Sequence, residues 1–238
     1  MDSLFGIHPI TAALEEGQLD RLWVREGKRH PRLQELVAAA RKQGVGVKEV
    51  PLKELDRLAE GGVHQGIVAT LRQAPPPLEL EDWLETLPVD PLVVLLDGVT
   101  DPHNLGAIIR SVAAAGGHGV IVPKDRRAPL SAIAVKASAG TAMRMPLVQV
   151  TNLARTVEQL QQEGFMVWAA AGDGAAPWDR VDLKGKTALV LGAEGEGVRP
   201  LVRKRCDGAV AIPMAGAESL NVSVAAGVLL FEAVRQRR

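Results

Sequence analysis

The sequence lacks several features that define whole classes of protein. It has a single cysteine, Cys206, so no intramolecular disulfide can form, and such sparing use of cysteine is typical of a reducing compartment. Its longest apolar run, residues 222–231, is interrupted by Ser223 and Gly227 and is shorter than the ~20 residues of a membrane-spanning helix. The N-terminal residues lack the basic start and apolar core of a signal peptide. We therefore expect a cytoplasmic protein without a membrane segment.

Aromatic residues and net charge are also scarce. There is no tyrosine, and three phenylalanines and four tryptophans in 238 residues are too few for a platform on which single-stranded bases stack. The 28 basic and 28 acidic side chains cancel, which excludes a polycationic chain but not local basic patches. By segment, residues 1–72 carry +1, residues 73–90 carry −5 and residues 91–238 carry +4.

The composition predicts two domains joined by a linker. Three consecutive prolines at 75–77 cannot continue a helix or a central strand, and an acidic segment follows them. We predict a first domain over 1–72, a Pro-rich acidic linker over 73–89 and a second domain over 90–238. One amphipathic turn at residues 80–87 is the alternative for the second half of the linker.

Both predicted domains alternate between helical and strand-like patterns. In the first, residues 31–42 place their apolar side chains at helical spacing, and residues 44–50 alternate as a strand does. In the second, residues 92–96 form a continuous apolar run, which is typical of a parallel strand buried on both faces. The pattern predicts a small α/β domain followed by an α/β domain with a mostly parallel sheet covered by helices.

Residues 96–110, LDGVTDPHNLGAIIR, leave this buried strand and open a helix. Asp101 and Pro102 are the residue types that begin helices, Asp as the N-cap and Pro in the first position. Open α/β sheets bind ligands at the carboxyl ends of their strands, so Asn104 and Arg110 are candidate site residues. The alternative is a capped helix with one surface arginine.

Residues 191–197, LGAEGEG, follow a second predicted strand. Their three glycines allow the backbone to approach a ligand closely. The order GxxGxG differs from the dinucleotide-binding GxGxxG, and Glu194 and Glu196 would repel a pyrophosphate, so a nucleotide-dependent oxidoreductase is disfavoured. The alternative is a Gly-rich turn without a ligand.

Residues 212–223, IPMAGAESLNVS, leave a third strand and enter the last predicted helix. Ser219 is predicted as the N-cap of this helix. The free N–H groups of a helix N-terminus suit a carboxylate or a phosphate. The alternative is a capped helix that binds nothing.

Together the three segments resemble the signature motifs of the SpoU (TrmH-like) branch of the SPOUT RNA methyltransferases, over the whole second domain. The first domain, with FGIHP at 5–9 and VHQGIVA at 63–69, is similar to the RNA-binding N-terminal extension of that family. The resemblance implies a parallel-sheet domain with a C-terminal trefoil knot that binds S-adenosylmethionine, and a homodimer with active sites near its interface. It implies 2′-O-methylation of a ribose, and the domain arrangement is most similar to members that act on a guanosine of large-subunit rRNA.

The resemblance also implies which residues form the site. The implied catalytic residues are Asn104, Arg110, Glu194, Ser219 and Asn221. The implied cofactor-binding residues are Gly140, Gly192, Ile212, Met214, Leu220 and Asn221. We expect no metal ion, because the sulfonium of the cofactor already activates the methyl group.

Arg110 corresponds to an arginine for which a general-base role is proposed in the family. That role conflicts with the pKa of a guanidinium, which lies above about 12. We interpret Arg110 as the group that binds the target phosphate and stabilises the developing alkoxide, and Glu194 as holding Arg110 or Asn104 in place. The base role stays open as the alternative.

Three basic clusters are predicted RNA contacts, and a solvated surface is the alternative for each. They are Arg25, Lys28, Arg29, His30 and Arg32; Lys124, Arg126 and Arg127; and Arg199, Arg203, Lys204 and Arg205. Two other functions stay open. One is methylation of a tRNA ribose, and the other is a non-catalytic RNA-binding factor of ribosome assembly, against which the intact catalytic residues argue.

Overall fold

The computed structural model describes residues 3–27, 30–59, 63–72, 78–128, 130–172 and 175–238. Its strands are β1 Ser3–Phe5, β2 Leu19–Arg25, β3 Gly46–Val50, β4 Ile67–Leu71, β5 Leu92–Asp97, β6 Gly119–Pro123, β7 Leu147–Val150, β8 Met166–Ala170, β9 Ala176–Pro177, β10 Thr187–Gly192 and β11 Gly208–Ala211. Its α-helices are α1 Ile7–Glu15, α2 Pro31–Lys42, α3 Leu52–Leu58, α4 Leu80–Glu85, α5 Pro102–Ala114, α6 Ala132–Ala137, α7 Leu153–Gln162, α8 Pro200–Arg205 and α9 Val222–Gln236. Short 3-10 turns occupy Thr141–Met143 and Trp178–Arg180. In these ranges no helix is long and apolar enough to cross a membrane.

The first of two compact units contains the chain up to Pro76 and the segment Leu130–Arg144. Its sheet has the order β1-β4-β2-β3, in which β2 and β3 are parallel and the other pairs antiparallel. Helix α2 buries the apolar stripe that its sequence predicts, including Leu33 and Leu36. The α/β pattern of the first domain is therefore confirmed.

The segment Leu130–Arg144 differs from the predicted domain boundaries, since it belongs to the first unit rather than the second. Within that unit, α6 packs against β1 and α1. Gly140 adopts a left-handed φ of 87°, and a Cβ placed on it would lie only 2.7 Å from the Cβ of Ala12. Burial of Ala134 and Val135 explains the placement, because their apolar surface is removed from water there.

The second unit contains Pro77–Pro129 and Met145–Arg238. Its seven-stranded sheet has the order β7-β6-β5-β10-β8-β11-β9, and all of its strand pairs are parallel. Every residue of β5 is buried, as its continuous apolar run predicts. The mostly parallel, helix-covered sheet is confirmed. Strand order and register do not define a knot, so the trefoil knot stays a prediction.

Part of the predicted linker belongs to the second unit's core. Residues 80–85 form α4, the amphipathic element that was the alternative, and Leu80 and Trp83 are buried in the main hydrophobic cluster. A Cβ placed on Gly119 would lie only 2.4 Å from Cζ2 of the Trp83 ring. The indole therefore packs where only a glycine leaves enough space. The prolines at 75–77 lie outside the described residues.

The sheet brings two of the three motifs to one place. Strand β5 has β6 on one side and β10 on the other, which leaves a crevice at their carboxyl ends where open α/β sheets bind ligands. In the β5–β10 ladder, Asp97 and Gly192 are direct partners. The loops after these two residues therefore face each other.

Candidate active site

The first motif forms the end of β5 and the start of α5. Helix α5 begins as predicted, with Asp101 as the N-cap and Pro102 in the first turn, and Asp101 Oδ1 accepts a hydrogen bond from the His103 N–H at 2.9 Å. Asn104 lies in the first turn and is 8% exposed. A buried amide needs hydrogen-bond partners, and these come from the other two motifs.

The second motif folds back on itself directly after β10. The N–H groups of Ala193 and Gly197 each donate to the other residue's carbonyl, at 3.2 and 2.8 Å. A Cβ on Gly192 would lie 1.9 Å from the Gly197 carbonyl carbon. The sequence predicts that another group approaches the Gly192 backbone closely, and in the structure this group is the backbone of the same loop. Contact between Gly192 and the cofactor stays a prediction.

An ion pair between a buried carboxylate and a half-exposed arginine fixes this loop to the end of β5. The Asp97 side chain is fully buried, and Arg199 donates to it from Nε at 2.6 Å and from its backbone N–H at 2.9 Å. The sequence pattern does not predict this pair, and Arg199 was expected to contact RNA. The available signal was Asp97 itself, because a carboxylate ending an apolar strand needs a partner when it is buried.

The third motif caps α9, but not at the predicted residue. The N-cap is Asn221, whose Oδ1 accepts from the N–H of Ser223 at 2.9 Å and from its hydroxyl at 2.6 Å. Ser219, which was predicted as the cap, lies exposed two residues before it. The helix begins at Val222, so only Asn221 is placed to reach the first-turn N–H groups. The catalytic role of Ser219 stays a prediction.

One hydrogen-bond network joins all three motifs. Asn221 Nδ2 donates to Asn104 Oδ1 at 2.9 Å and to Glu194 Oε1 at 2.6 Å. Asn104 Nδ2 donates to the same Glu194 oxygen at 3.0 Å. Three of the predicted catalytic residues are therefore in direct contact. Glu194 was expected to hold either Arg110 or Asn104, and in the structure it holds Asn104.

Arg110 does not join this network. It is exposed on α5, about 9 Å further along the helix axis than Asn104 at ~1.5 Å per residue. Within the part of the chain that the structure describes, its side chain makes no hydrogen bond or ion pair. The sequence brings Arg110 to the same helix as Asn104 but not to the same site within one chain.

A cavity of about 450 Å³ lies at the carboxyl ends of β5 and β10. Residues within 97–101 and 193–199 form most of its wall, and Asn104, Pro123, Arg126 and Val222 complete it. Its size falls within the range of small-ligand sites. The network of Asn104 and Glu194 therefore opens onto a space large enough for a substrate group.

The predicted cofactor residues of the second unit lie at the ends of β10 and β11, which are separated by β8. Val190, Ala169 and Ala209 form one row across β10, β8 and β11, so β10 and β11 end at the same edge about 10 Å apart. Residues 213–220 are largely exposed, and in the described ranges their backbone groups make no hydrogen bond. Free N–H and C=O groups are the donors and acceptors that bind an adenine edge, so this segment fits a nucleoside cofactor.

The remaining predictions for this site have different outcomes. Ile212, Met214 and Leu220 belong to or border the segment 213–220, whereas Gly140 is buried in the first unit. Their contact with a cofactor stays a prediction. Over the described residues there is no group of three or more His, Cys, Asp or Glu side chains that could hold a metal ion.

The basic clusters are partly used inside the protein. His30 caps α2 through Nδ1, which accepts from the Arg32 N–H at 3.3 Å, and Arg205 pairs with Glu158. Lys28 and Arg29 lie outside the described residues. These clusters are thus not uniformly available for RNA.

The chain is similar to known RNA methyltransferases in both sequence and structure. Two family models match the chain: the SpoU rRNA Methylase family over residues 91–231, and RNA 2′-O ribose methyltransferase substrate binding over residues 3–77. The 23S rRNA (guanosine-2′-O-)-methyltransferase RlmB of Pseudomonas putida is 46% identical over 243 residues, which cover 100% of this chain and 98% of that protein. RlmB of Escherichia coli K12 is 46% identical over 241 residues, which cover 99% of each chain. The crystal structure of the SpoU methyltransferase AviRb from Streptomyces viridochromogenes in complex with AdoMet has a TM-score of 0.82 and 29% identity, and the match covers 98% of this chain and 89% of that one.

Proposed function

The chain belongs to the SpoU rRNA methylase family, and from this premise we propose that it transfers a methyl group from S-adenosylmethionine to the ribose 2′-oxygen of a guanosine in 23S rRNA. The observation that carries the proposal is the network of Asn104, Glu194 and Asn221, in which three distant motifs meet beside a cavity. Proteins named 23S rRNA (guanosine-2′-O-)-methyltransferase match the chain over its full length at 46% identity. This similarity supports a guanosine of 23S rRNA as the substrate. Ribosomal RNA as the substrate implies a cytoplasmic location.

The chain's own residues bind and orient the reactants. When bound, the cofactor supplies a methyl group that its sulfonium has already activated for in-line displacement. The exposed backbone of residues 213–220 holds the adenosine, together with Gly192, Ile212, Met214 and Leu220. Glu194 Oε1 is occupied by two amide donors, whereas Oε2 has no partner in the described ranges and the residue lines the cavity. This oxygen accepts a hydrogen bond from the ribose hydroxyl, which orients the 2′-oxygen lone pair toward the methyl carbon. It takes up the hydroxyl proton as the oxygen–methyl bond forms and the methyl–sulfur bond breaks.

Arg110 binds the target phosphate and stabilises the developing alkoxide in this proposal. In the described ranges its guanidinium has no partner, and in this proposal a second copy of the protein completes the site. Helix α9 packs along α5 and exposes Val224 and Phe231, each 50% accessible and seven residues apart on one face. This apolar face supports a homodimer. Light scattering of the wild type and of Phe231→Glu tests it, and a monomeric wild type would contradict the dimer.

The decisive experiment is mass-spectrometric mapping of methylated riboses. Unmodified 23S rRNA is treated with S-adenosylmethionine and the wild type, Arg110→Ala or Arg155→Ala. Arg155 is an exposed helical arginine on α7, so it serves as the matched control. We expect one new 2′-O-methylguanosine with the wild type and the control, and its loss with Arg110→Ala.

Other outcomes favour the other functions. Methylation of tRNA but not of rRNA would identify the substrate as tRNA, against which the full-length similarity to 23S rRNA methyltransferases argues. Cofactor binding without methylation of either RNA would contradict the proposed reaction on naked RNA and point to an assembly intermediate. Absence of both would favour the non-catalytic RNA-binding factor.

A further inference from the structure

The charged residues that line the cavity differ in whether the protein already uses them. Asp97 and Arg199 pair with each other, Asp101 caps α5, and Glu194 accepts from two asparagines. Four of the charged groups are therefore engaged by the fold. Their hydrogen bonds build the cavity wall, and the remaining Glu194 oxygen, Oε2, is the one assigned above to the ribose hydroxyl.

Two charged residues of the lining are left over, Glu196 and Arg126. Both are exposed, and in the described ranges neither makes a hydrogen bond or ion pair. They do not pair with each other either, although their charges are opposite. The cavity thus presents one free acceptor-only group and one free donor-only group.

Tight backbone geometry presents both side chains. Glu196 lies between Gly195 and Gly197, which adopt left-handed φ values of 80° and 69°. Arg126 itself adopts a φ of 55°, a conformation that non-glycine residues rarely take. A left-handed conformation is unfavourable for arginine, so the surrounding loop holds the residue in this position.

We propose that this cavity reads the target guanine, with Glu196 accepting from N1–H and the 2-amino group and Arg126 donating to O6 and N7. The inference rests on the proposed function and names the residues that select the base. Guanine carries two adjacent donors on one edge and two acceptors on another, which match a carboxylate and a guanidinium respectively. Adenine replaces the O6 acceptor with an amino donor and lacks the N1–H, so both residues disfavour it.

The position of the cavity agrees with this assignment. Ala193 and Val222 line it, and they directly follow Gly192 and Asn221. A base bound between Glu196 and Arg126 therefore holds its ribose beside Glu194 and the segment proposed for the cofactor. Because the two charged groups contact different edges of one ring, they have no need to touch each other.

The test measures kcat/KM on RNA carrying guanosine, inosine or adenosine at the mapped position. Inosine lacks only the 2-amino group and keeps O6 and N7. We expect the wild type to prefer guanosine over inosine by about tenfold or more. Inosine also keeps the N1–H, so Glu196→Ala lowers the rate on inosine by about tenfold through the lost N1–H contact. It lowers the rate on guanosine by about a hundredfold, because the 2-amino contact is lost as well, and the preference for guanosine over inosine falls to about one. Arg126→Ala lowers both rates alike and weakens the preference over adenosine.

Controls separate this inference from the function on which it rests. Glu85→Gln changes an exposed carboxylate of α4 and keeps all three rates. Glu196→Gln removes the charge but not the side-chain volume, and it reproduces the loss of preference for guanosine. Cofactor binding by calorimetry confirms that the variants are folded. A guanosine-to-inosine ratio that Glu196→Ala leaves unchanged overturns the inference alone. A wild type that methylates no RNA overturns the proposed function and the inference together.

Discussion

Asn221 donates a hydrogen bond of 2.6 Å to Glu194, and this bond completes the use of every donor and acceptor on the Asn221 side chain. The second Nδ2 hydrogen goes to Asn104, while Oδ1 accepts from the N–H and the hydroxyl of Ser223. If the Asn221 amide were flipped, its NH₂ group would face the Ser223 N–H, and two donors would meet. The hydrogen bonds therefore fix the orientation of the Asn221 amide. One side chain thus couples the start of α9 to the catalytic network.

The two roles of Asn221 are separable by Asn221→Ser. Serine caps a helix about as well as asparagine, but it is too short to reach Asn104 and Glu194. We therefore expect a nearly unchanged free energy of unfolding and a fall in kcat/KM of about 10- to 100-fold, because hydrogen bonds to a charged group are lost. Urea unfolding and a methyl-transfer assay measure the two effects.

Asn152→Ala is the matched control for this variant. Asn152 caps α7, with Oδ1 accepting from the Arg155 N–H at 3.1 Å, and the structure gives it no contact with the site. Its loss costs about 1 kcal/mol of stability and leaves kcat/KM unchanged. If Asn221→Ser lost stability and kept activity instead, the network would have no part in the reaction.

The parts of the fold that were predictable are those encoded by neighbouring residues. The buried strand β5 and the start of α5 at Asp101 follow from a local apolar run and a local cap. The pair of Asp97 and Arg199 joins residues 102 positions apart, and no local pattern marks it. Likewise the placement of Leu130–Arg144 in the first unit depends on tertiary packing against α1 and β1.

The site was predictable to the same extent. Its residue types came from the motifs, and Asn104, Glu194 and Asn221 do meet. The cap of α9 was wrong because Ser219 and Asn221 are both good caps by type, and only the helix start decides between them. The sequence pattern likewise could not show that Glu196 and Arg126 are the charged residues left without partners.

Gly192→Ala is expected to disrupt the loop that carries Glu194. The added Cβ would overlap the backbone at Gly197 and Val198, at 1.9 and 2.1 Å, and backbone cannot move aside as a flexible side chain can. We expect a loss of about 1–3 kcal/mol in the free energy of unfolding, together with weaker cofactor binding. Gly172→Ala is the control, since a Cβ there meets nothing within 4 Å. Equal stability of the two variants would contradict the fold-back of the loop.

Cys206 is expected to resist alkylation in the folded protein. Burial, together with the negative charges of Asp207 and Asp97, raises the pKa of its thiol to about 12. The thiolate is the reactive form, so at pH 8 about one molecule in ten thousand is reactive. Iodoacetamide labelling at pH 8 should be slow in the native protein and fast in guanidinium chloride. Equal rates in the two conditions would refute the burial argument.

The acid sensitivity of the second unit depends in part on Glu232 in helix α9. Its side chain is 3% exposed and accepts a bidentate pair of bonds from Arg235, at 2.7 and 2.8 Å, and a third from Gln236 at 2.8 Å. The hydrogen bonds from Arg235 lower the pKa of this carboxyl, while burial opposes them. The folded state therefore binds a proton less readily than the unfolded chain does.

The sign of the pH dependence follows from that lowered pKa. Glu232 stabilises the fold fully above its unfolded pKa of about 4.3, and the contribution is lost as the pH falls through the lower folded pKa. Glu232→Gln should therefore destabilise the protein at pH 7 and differ progressively less from the wild type below pH ~4. Glu85→Gln, at an exposed carboxylate, should follow the wild type throughout. Urea unfolding between about pH 3 and 7 measures the stability of both variants. If the difference in stability between Glu232→Gln and the wild type grew toward low pH, burial rather than Arg235 would dominate the pKa of this carboxyl.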